Sequence, residues 1–182
     1  MSMREPRALA AGLLLAWAGG AAAAEALQAP RLGRPVDAQE VARWDLSVFP
    51  DGRGLPAGRG NAAEGAILFR QHCAACHGAG GRGASAEELA GGTEPLTSPT
   101  PDKTIGLYWP YATTVFDFLR RAKPMTAPGT LSADEVYALT AYLLYANGLI
   151  GETDEMDART LPRLRMPNRD GFTGIDATLP PR

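Results

Sequence analysis

The sequence predicts an all-α fold, with about three helices joined by long loops around a centre that the chain does not fill by itself. Three observations carry this expectation. Helical periodicity with start and stop signals occurs in three stretches, near 61–73, 113–122 and 132–147. No stretch alternates apolar and polar residues as a half-buried strand does. Finally, 21 Gly and 15 Pro among 182 residues leave little regular structure elsewhere, too little to enclose the core that such a length implies.

The length suits one domain with extensions. With 18 basic against 20 acidic side chains there is no basic excess, and Arg120-Arg121 is the nearest thing to a basic run. That balance argues against nucleic acid as a partner.

Along the chain, Arg4 and Arg7, the apolar stretch 8–18 and the small residues Ala21 to Ala24 read as a secretory signal peptide over 1–24, cut after Ala24. The apolar run is too short to span a bilayer, and an uncleaved apolar anchor is the other reading. The expectation is a periplasmic protein with no stable membrane insertion. Residues 25–60 hold Pro30, Pro35, Pro50 and Pro56 among five glycines and predict an irregular lead. Its apolar cluster, Trp44, Leu46, Val48 and Phe49, is expected to pin the lead to the domain, with an exposed patch for a partner as the other reading.

The domain itself is expected over 61–150. Asn61 with Glu64 marks a capped helix start, and Ala62, Ala66, Ile67, Leu68 and Phe69 carry the helix towards Cys73. Gly65 inside it costs about 1 kcal/mol relative to Ala, which suggests a close helix crossing. Residues 78–110 predict a long loop that wraps something. Thr113 or Thr114 can cap a helix through Phe116, Leu119 and Arg120 that Pro124 ends. Ser132 and Glu135 form a capping box for a last helix, with Val136, Leu139, Thr140 and Leu143 on one face and a stop at Asn147-Gly148. The tail, 151–182, is polar and Pro-containing and is expected to wrap the domain.

The chemistry lies in Cys73-Ala74-Ala75-Cys76-His77, the spacing of c-type haem attachment. Thiols three apart at a helix end share a face and can reach both vinyl groups of one porphyrin, and the next residue offers an imidazole to the iron. A thioredoxin-like redox pair would need a βαβ setting, and zinc would need another ligand pair. One covalently bound haem c is therefore the expected cofactor, on Cys73, Cys76 and His77. His72, the remaining histidine, is locked beside Cys73, so the sixth ligand is expected to be methionine. Outside the signal segment the candidates are Met125, Met156 and Met166, with Met156 in an acidic turn the weakest.

With this motif in place, the chain resembles a class I cytochrome c, with Gly65 and Phe69 on the first helix and Tyr142 on the last. More specifically it is similar to the SoxD-type cytochrome subunits of sulfane dehydrogenase and to cytochrome partners of sulfite dehydrogenases. The residues that carry this are Trp44-Asp45-Leu46, Phe49-Pro50-Asp51-Gly52, the segment Tyr108-Trp109-Pro110-Tyr111-Ala112-Thr113-Thr114, the segment from Asp134 to Tyr142, and Met166-Pro167-Asn168-Arg169-Asp170-Gly171-Phe172. The resemblance implies a molybdenum-containing sulfite or sulfane dehydrogenase subunit as electron donor and a downstream c-type cytochrome as acceptor. It also has two departures. Full SoxD-type subunits carry two haem domains, whereas this chain has one attachment motif, as a shortened subunit or a free carrier would. And family members often read Ala-Met-Pro where this chain reads Ala122-Lys123-Pro124, with methionine at 125 instead. The tail motif needs no such shift, so the resemblance favours Met166 as ligand, with Met125 second.

Trp109 and Tyr111 are expected at the cofactor, as walls of its pocket or with NH and OH groups reaching its propionates. Arg120 or Arg121 either neutralises a propionate or is solvated. The function expected is thus electron transfer without bond-making on a substrate. The alternatives are a generic carrier for another dehydrogenase, and a haem enzyme or sensor with an open iron position. The sequence offers the last of these neither a distal His nor an evident acid–base pair.

Overall fold

The computed structural model describes residues 32–173. The signal peptide expected over 1–24 lies outside the described residues. The chain divides into a first unit, 1–38, and a second, 39–182. In the first, the described residues 32–38 are exposed. The helices that build the core belong to the second.

Six helices are described: α1 Ala38–Trp44, α2 Ala62–His72, α3 Ala74–His77, α4 Ile105–Tyr108, α5 Ala112–Ala122 and α6 Ala133–Ala146. Short 3-10 turns stand at Ala79–Gly81 and Leu161–Arg163. The two longest candidate helices start where the sequence places them. Asn61 Oδ1 accepts the Glu64 N–H at 3.0 Å while Glu64 Oε2 accepts the Asn61 N–H at 3.1 Å. Ser132 and Glu135 repeat the exchange at the head of α6, so orphan amide donors are satisfied at these two helix starts. α6 stops at Asn147, followed by Gly148 at φ +72°.

α2 lies across α6 at a glycine. A Cβ on Gly65 would strike the Ala138 carbonyl and come 2.7 Å from the Tyr142 Cβ. One turn on, the Phe69 and Tyr142 rings meet at 4.8 Å between centroids. The core gathers there and against α5, with Phe116, Tyr137, Leu139, Leu144, Leu161 and Met166 fully buried.

Four local expectations are corrected or narrowed. Neither Thr113 nor Thr114 caps α5: Trp109 and Tyr111 are extended, the helix begins at Ala112 directly after Pro110-Tyr111, and no side chain caps it. Thr113 lies inside the helix, buried, with its Oγ1 unpaired. The lead is not wholly irregular, since it contains α1, none of whose residues is buried. Its pinning is partial. Trp44 is 82% exposed, whereas Leu46 and Val48 are half-buried, because only the latter segment is bonded to α5. There Asp117 Oδ1 accepts the Val48 N–H at 3.0 Å and Arg120 Nη1 donates to Leu46 O at 3.3 Å. Finally, a minimal antiparallel pair exists, β1 Arg59–Gly60 with β2 Met156–Asp157, through which the tail joins the lead.

Tyr137 closes the far side of the core. Its ring packs on Phe116 at 4.4 Å and its hydroxyl donates to Pro56 O at 2.9 Å. Burial pushes the phenol up from 10.0 to about 12, with the Asp157 carboxylate adding to the rise and Arg120 opposing it. The fold thus favours the neutral phenol. Its contribution is complete below pH 10 and is lost as pH rises through about 12. Thermal melts in alkali should show wild type losing stability over that window, with a shallower loss in Tyr137→Phe. Parallel curves would refute the assignment.

Candidate haem site

α2 does not run on through the attachment motif. Cys73 still donates its N–H to Phe69 O at 2.9 Å but leaves helical geometry, and α3 forms a separate turn in which the Cys76 and His77 amides both donate to Cys73 O. The chain then reverses at Gly78, φ +74°, where a side chain would strike the Gly83 carbonyl. The loop returns onto the motif. Gly83 N–H donates to His77 O at 2.8 Å and Ala86 N–H to Cys76 O at 2.9 Å.

This return places the Glu87 carbonyl 2.7 Å from His77 Nδ1. A carbonyl can only accept, so Nδ1 carries a proton, and in the neutral ring Nε2 holds the lone pair. The imidazole is held in the tautomer that a metal ligand needs. Cys73 is half-buried and Cys76 exposed, and no disulfide joins them. Burial pushes the Cys73 thiol up and Cys76 adds to this, while the positive charge of Lys123 works against it.

Two cavities share Cys73, His77 and Lys123. The first, about 230 Å³, is walled by Phe69 from α2, Val115, Phe118 and Leu119 from α5, and Leu139 and Leu143 from α6. Leu89, Ile105 and Trp109 close it. The second, about 430 Å³, adds His72, Cys76, Ser85, Ala86, Pro124 and Met125. Two thiols, an oriented imidazole and an apolar slot fit a covalently held porphyrin, whose flat apolar body needs such walls.

The structure sorts the remaining candidates. Trp109 lines the first cavity and packs on Phe118 at 5.9 Å. Tyr111 belongs to the lining of neither; it precedes α5 and carries the Arg169 guanidinium 4.3 Å from its ring centroid. Arg120 and Arg121 are engaged with Leu46 and Asp117 on the face of α5 that holds the lead. Met125 is 75% exposed and lines the second cavity with His77. Met166, favoured from the sequence, is 1% exposed inside the helix core and lines neither cavity. Met156 is also buried in that core, beside β1. The reason for the position of Met166 is the docking of the tail. Asn168 Nδ2 donates to Tyr108 O at 2.6 Å, Phe172 meets Tyr108 edge-on at 5.3 Å, and Arg169 covers Tyr111. The two specific motifs at 108–114 and 166–172 are stitched to each other.

Sequence reasoning missed the Glu87 carbonyl, and it weighed Lys123 as an iron ligand and set it aside without placing it in both cavities. A backbone acceptor leaves no mark on residue identity. Lys123, however, stands directly before Pro124, at the point where α5 ends and turns back.

Comparison with known proteins agrees with this geometry. Residues 62–147 match the family described as Cytochrome c. Among solved structures, the chain is similar to the sulfane dehydrogenase SoxCD from Paracoccus pantotrophus, at 44% identity and a TM-score of 0.76, covering 81% of this chain and 73% of that one. No curated protein matches it.

Proposed function

The chain belongs to the class I cytochrome c family and resembles SoxD, and from that premise we propose that it passes electrons from a molybdenum-containing sulfite or sulfane dehydrogenase subunit to a downstream c-type cytochrome. As a member of the family it is an electron-transfer cytochrome carrying covalently bound haem c. The observation that carries the finer reading is the extent of the likeness to SoxCD. It spans 81% of the chain, well beyond the residues 62–147 matched by the family as a whole.

In this reading one haem is bound. Cys73 and Cys76 would hold it through thioether bonds, and His77 Nε2 together with Met125, in the loop after α5, would bind its iron. The iron supplies a one-electron couple, and a thioether ligand raises its potential. The chain's own residues bind, orient and exclude water. Phe69, Trp109, Val115 and Leu139 keep the slot apolar, Glu87 fixes the imidazole, and no residue of the chain makes or breaks bonds on a substrate. The same reading assigns 1–24 to export into the periplasm, 25–60 to the lead, 61–150 to the cytochrome domain and 151–182 to the tail. Among the described residues no helix is long and apolar enough to cross a membrane.

The test is purification of the full chain from its native host under mild conditions, with molybdenum and haem iron quantified in the same fraction. Comparable amounts of both metals, with haem reduction on adding sulfite or a sulfane-sulfur substrate, support the proposal. A molybdenum-free fraction that the substrate does not reduce, even after the host's molybdenum protein is added back, refutes the partner and leaves a generic carrier.

A further inference from the structure

We infer that Asn147, which lies outside both cavities, is a positioning residue for His77 and through it tunes the reduction potential; the inference rests on His77 being an axial ligand. At the end of α6, Asn147 Nδ2 donates to two carbonyls, Leu143 O at 2.8 Å and Leu89 O at 3.0 Å, the latter 58 residues away in sequence. Both partners can only accept, so the orientation of the amide is fixed. Leu89 O also takes the Ile105 N–H at 3.0 Å, and the Leu89 and Ala90 amides donate to Gly81 O at 2.7 and 3.0 Å.

The segment 86–90 is thereby clamped on both sides. Ala86 N–H is held on Cys76 O, and Leu89 is held by Gly81, Ile105 and Asn147. Between the clamps lies Glu87, whose carbonyl receives the His77 Nδ1–H at 2.7 Å. The aim of that carbonyl is set by its neighbours, because a two-residue span with fixed ends has little freedom to rotate. Asn147 is positioned in its turn by Gly106 on α4, where a Cβ would come 2.9 Å from both Cβ and Oδ1 of Asn147. Glycine at 106 makes room for the amide.

A strong Nδ1–H···O bond raises the basicity of Nε2, which favours the oxidised metal. Loosening the clamp weakens that bond and shifts the equilibrium towards the reduced form. The experiment compares haem-loaded wild type, Asn147→Ala, Gly106→Ala and the double variant by midpoint potential and by the proton resonance of His77 Nδ1–H in the reduced state. Each single change should raise the reduction equilibrium constant by about three- to tenfold, tenfold being about 59 mV for one electron, and should displace the Nδ1–H resonance. The double variant should shift by less than the two single shifts combined, since both changes act on the amide's bond to Leu89.

If both variants melt earlier but keep the wild-type potential and resonance, Asn147 only ends α6 and the inference falls. Should Asn147→Ala fail to fold, Gly106→Ala decides alone, since it leaves the bond to Leu143 available. A wild type without covalently attached, histidine-ligated haem would instead overturn the underlying reading of the site, and the spectrum of wild type alone shows this.

Discussion

Met125→Ala is expected to abolish the long-wavelength sulfur-to-iron charge-transfer band of the oxidised, haem-loaded protein, whereas Met166→Ala is expected to leave it in place. The two substitutions should separate in opposite directions on two readouts. Met166 is fully buried among core side chains, so its truncation should cost about 2–5 kcal/mol of stability by leaving a cavity. Met125 touches little of the core and is mostly exposed, so its loss should scarcely lower the melting temperature. It removes a soft ligand instead. The potential should then fall by a sizeable part of the roughly 0.8 V over which axial ligation sets haem potentials, and external ligands should bind without competition. A band that survives in Met125→Ala and disappears in Met166→Ala would return the ligand to the tail.

Gly65→Val carries the largest expected effect on the fold. The new side chain would drive into the Ala138 carbonyl and the Tyr142 Cβ. The contacted atoms are backbone or the base of a side chain and cannot swing aside. α2 and α6 must separate, which costs about 3 kcal/mol or more, or a fall of roughly 6–12 °C in melting temperature for a protein of this size. Since Phe69 and Leu139 line the haem cavity from these two helices, the yield of haem-loaded protein should fall as well. Gly129→Ala is the control. Its surroundings are open although φ is +75°, so only the backbone cost of about 1 kcal/mol should appear. Equal losses in the two variants would mean that the crossing is not close-packed in solution.

How much could be read from the sequence depends on how local each signal is. The helix starts at Asn61 and Ser132 depend on side chains three residues away, and the crossing announces itself as a glycine in a helical run. The same holds for Cys73, Cys76 and His77, whose spacing alone names the chemistry. The sixth ligand is a different kind of question. Where Met166 lies depends on where the tail docks, and there Asn168 bonds to Tyr108, 60 residues apart. No pattern around Met166 encodes it. The start of α5 misled for a related reason. Two threonines suit a cap, but the extended turn through Trp109 and Tyr111 begins the helix earlier, so Thr113 becomes an interior residue. Exposure of Trp44 was equally illegible, because an apolar side chain reads the same whether or not anything covers it.

The grip of α5 on the lead bears on where the chain can be cut. Residues 62–147 are what the family shares, yet their core also leans on side chains outside that stretch. Trimmed to that stretch, the chain would leave the buried Asp117 without the Val48 N–H and Tyr137 without the Pro56 carbonyl. Its core would be open where Met156, Leu161 and Met166 now sit. The flanks that look like dispensable packaging in the sequence are the outer courses of the same wall, and a piece cut at 62 and 147 is expected to melt below the full chain.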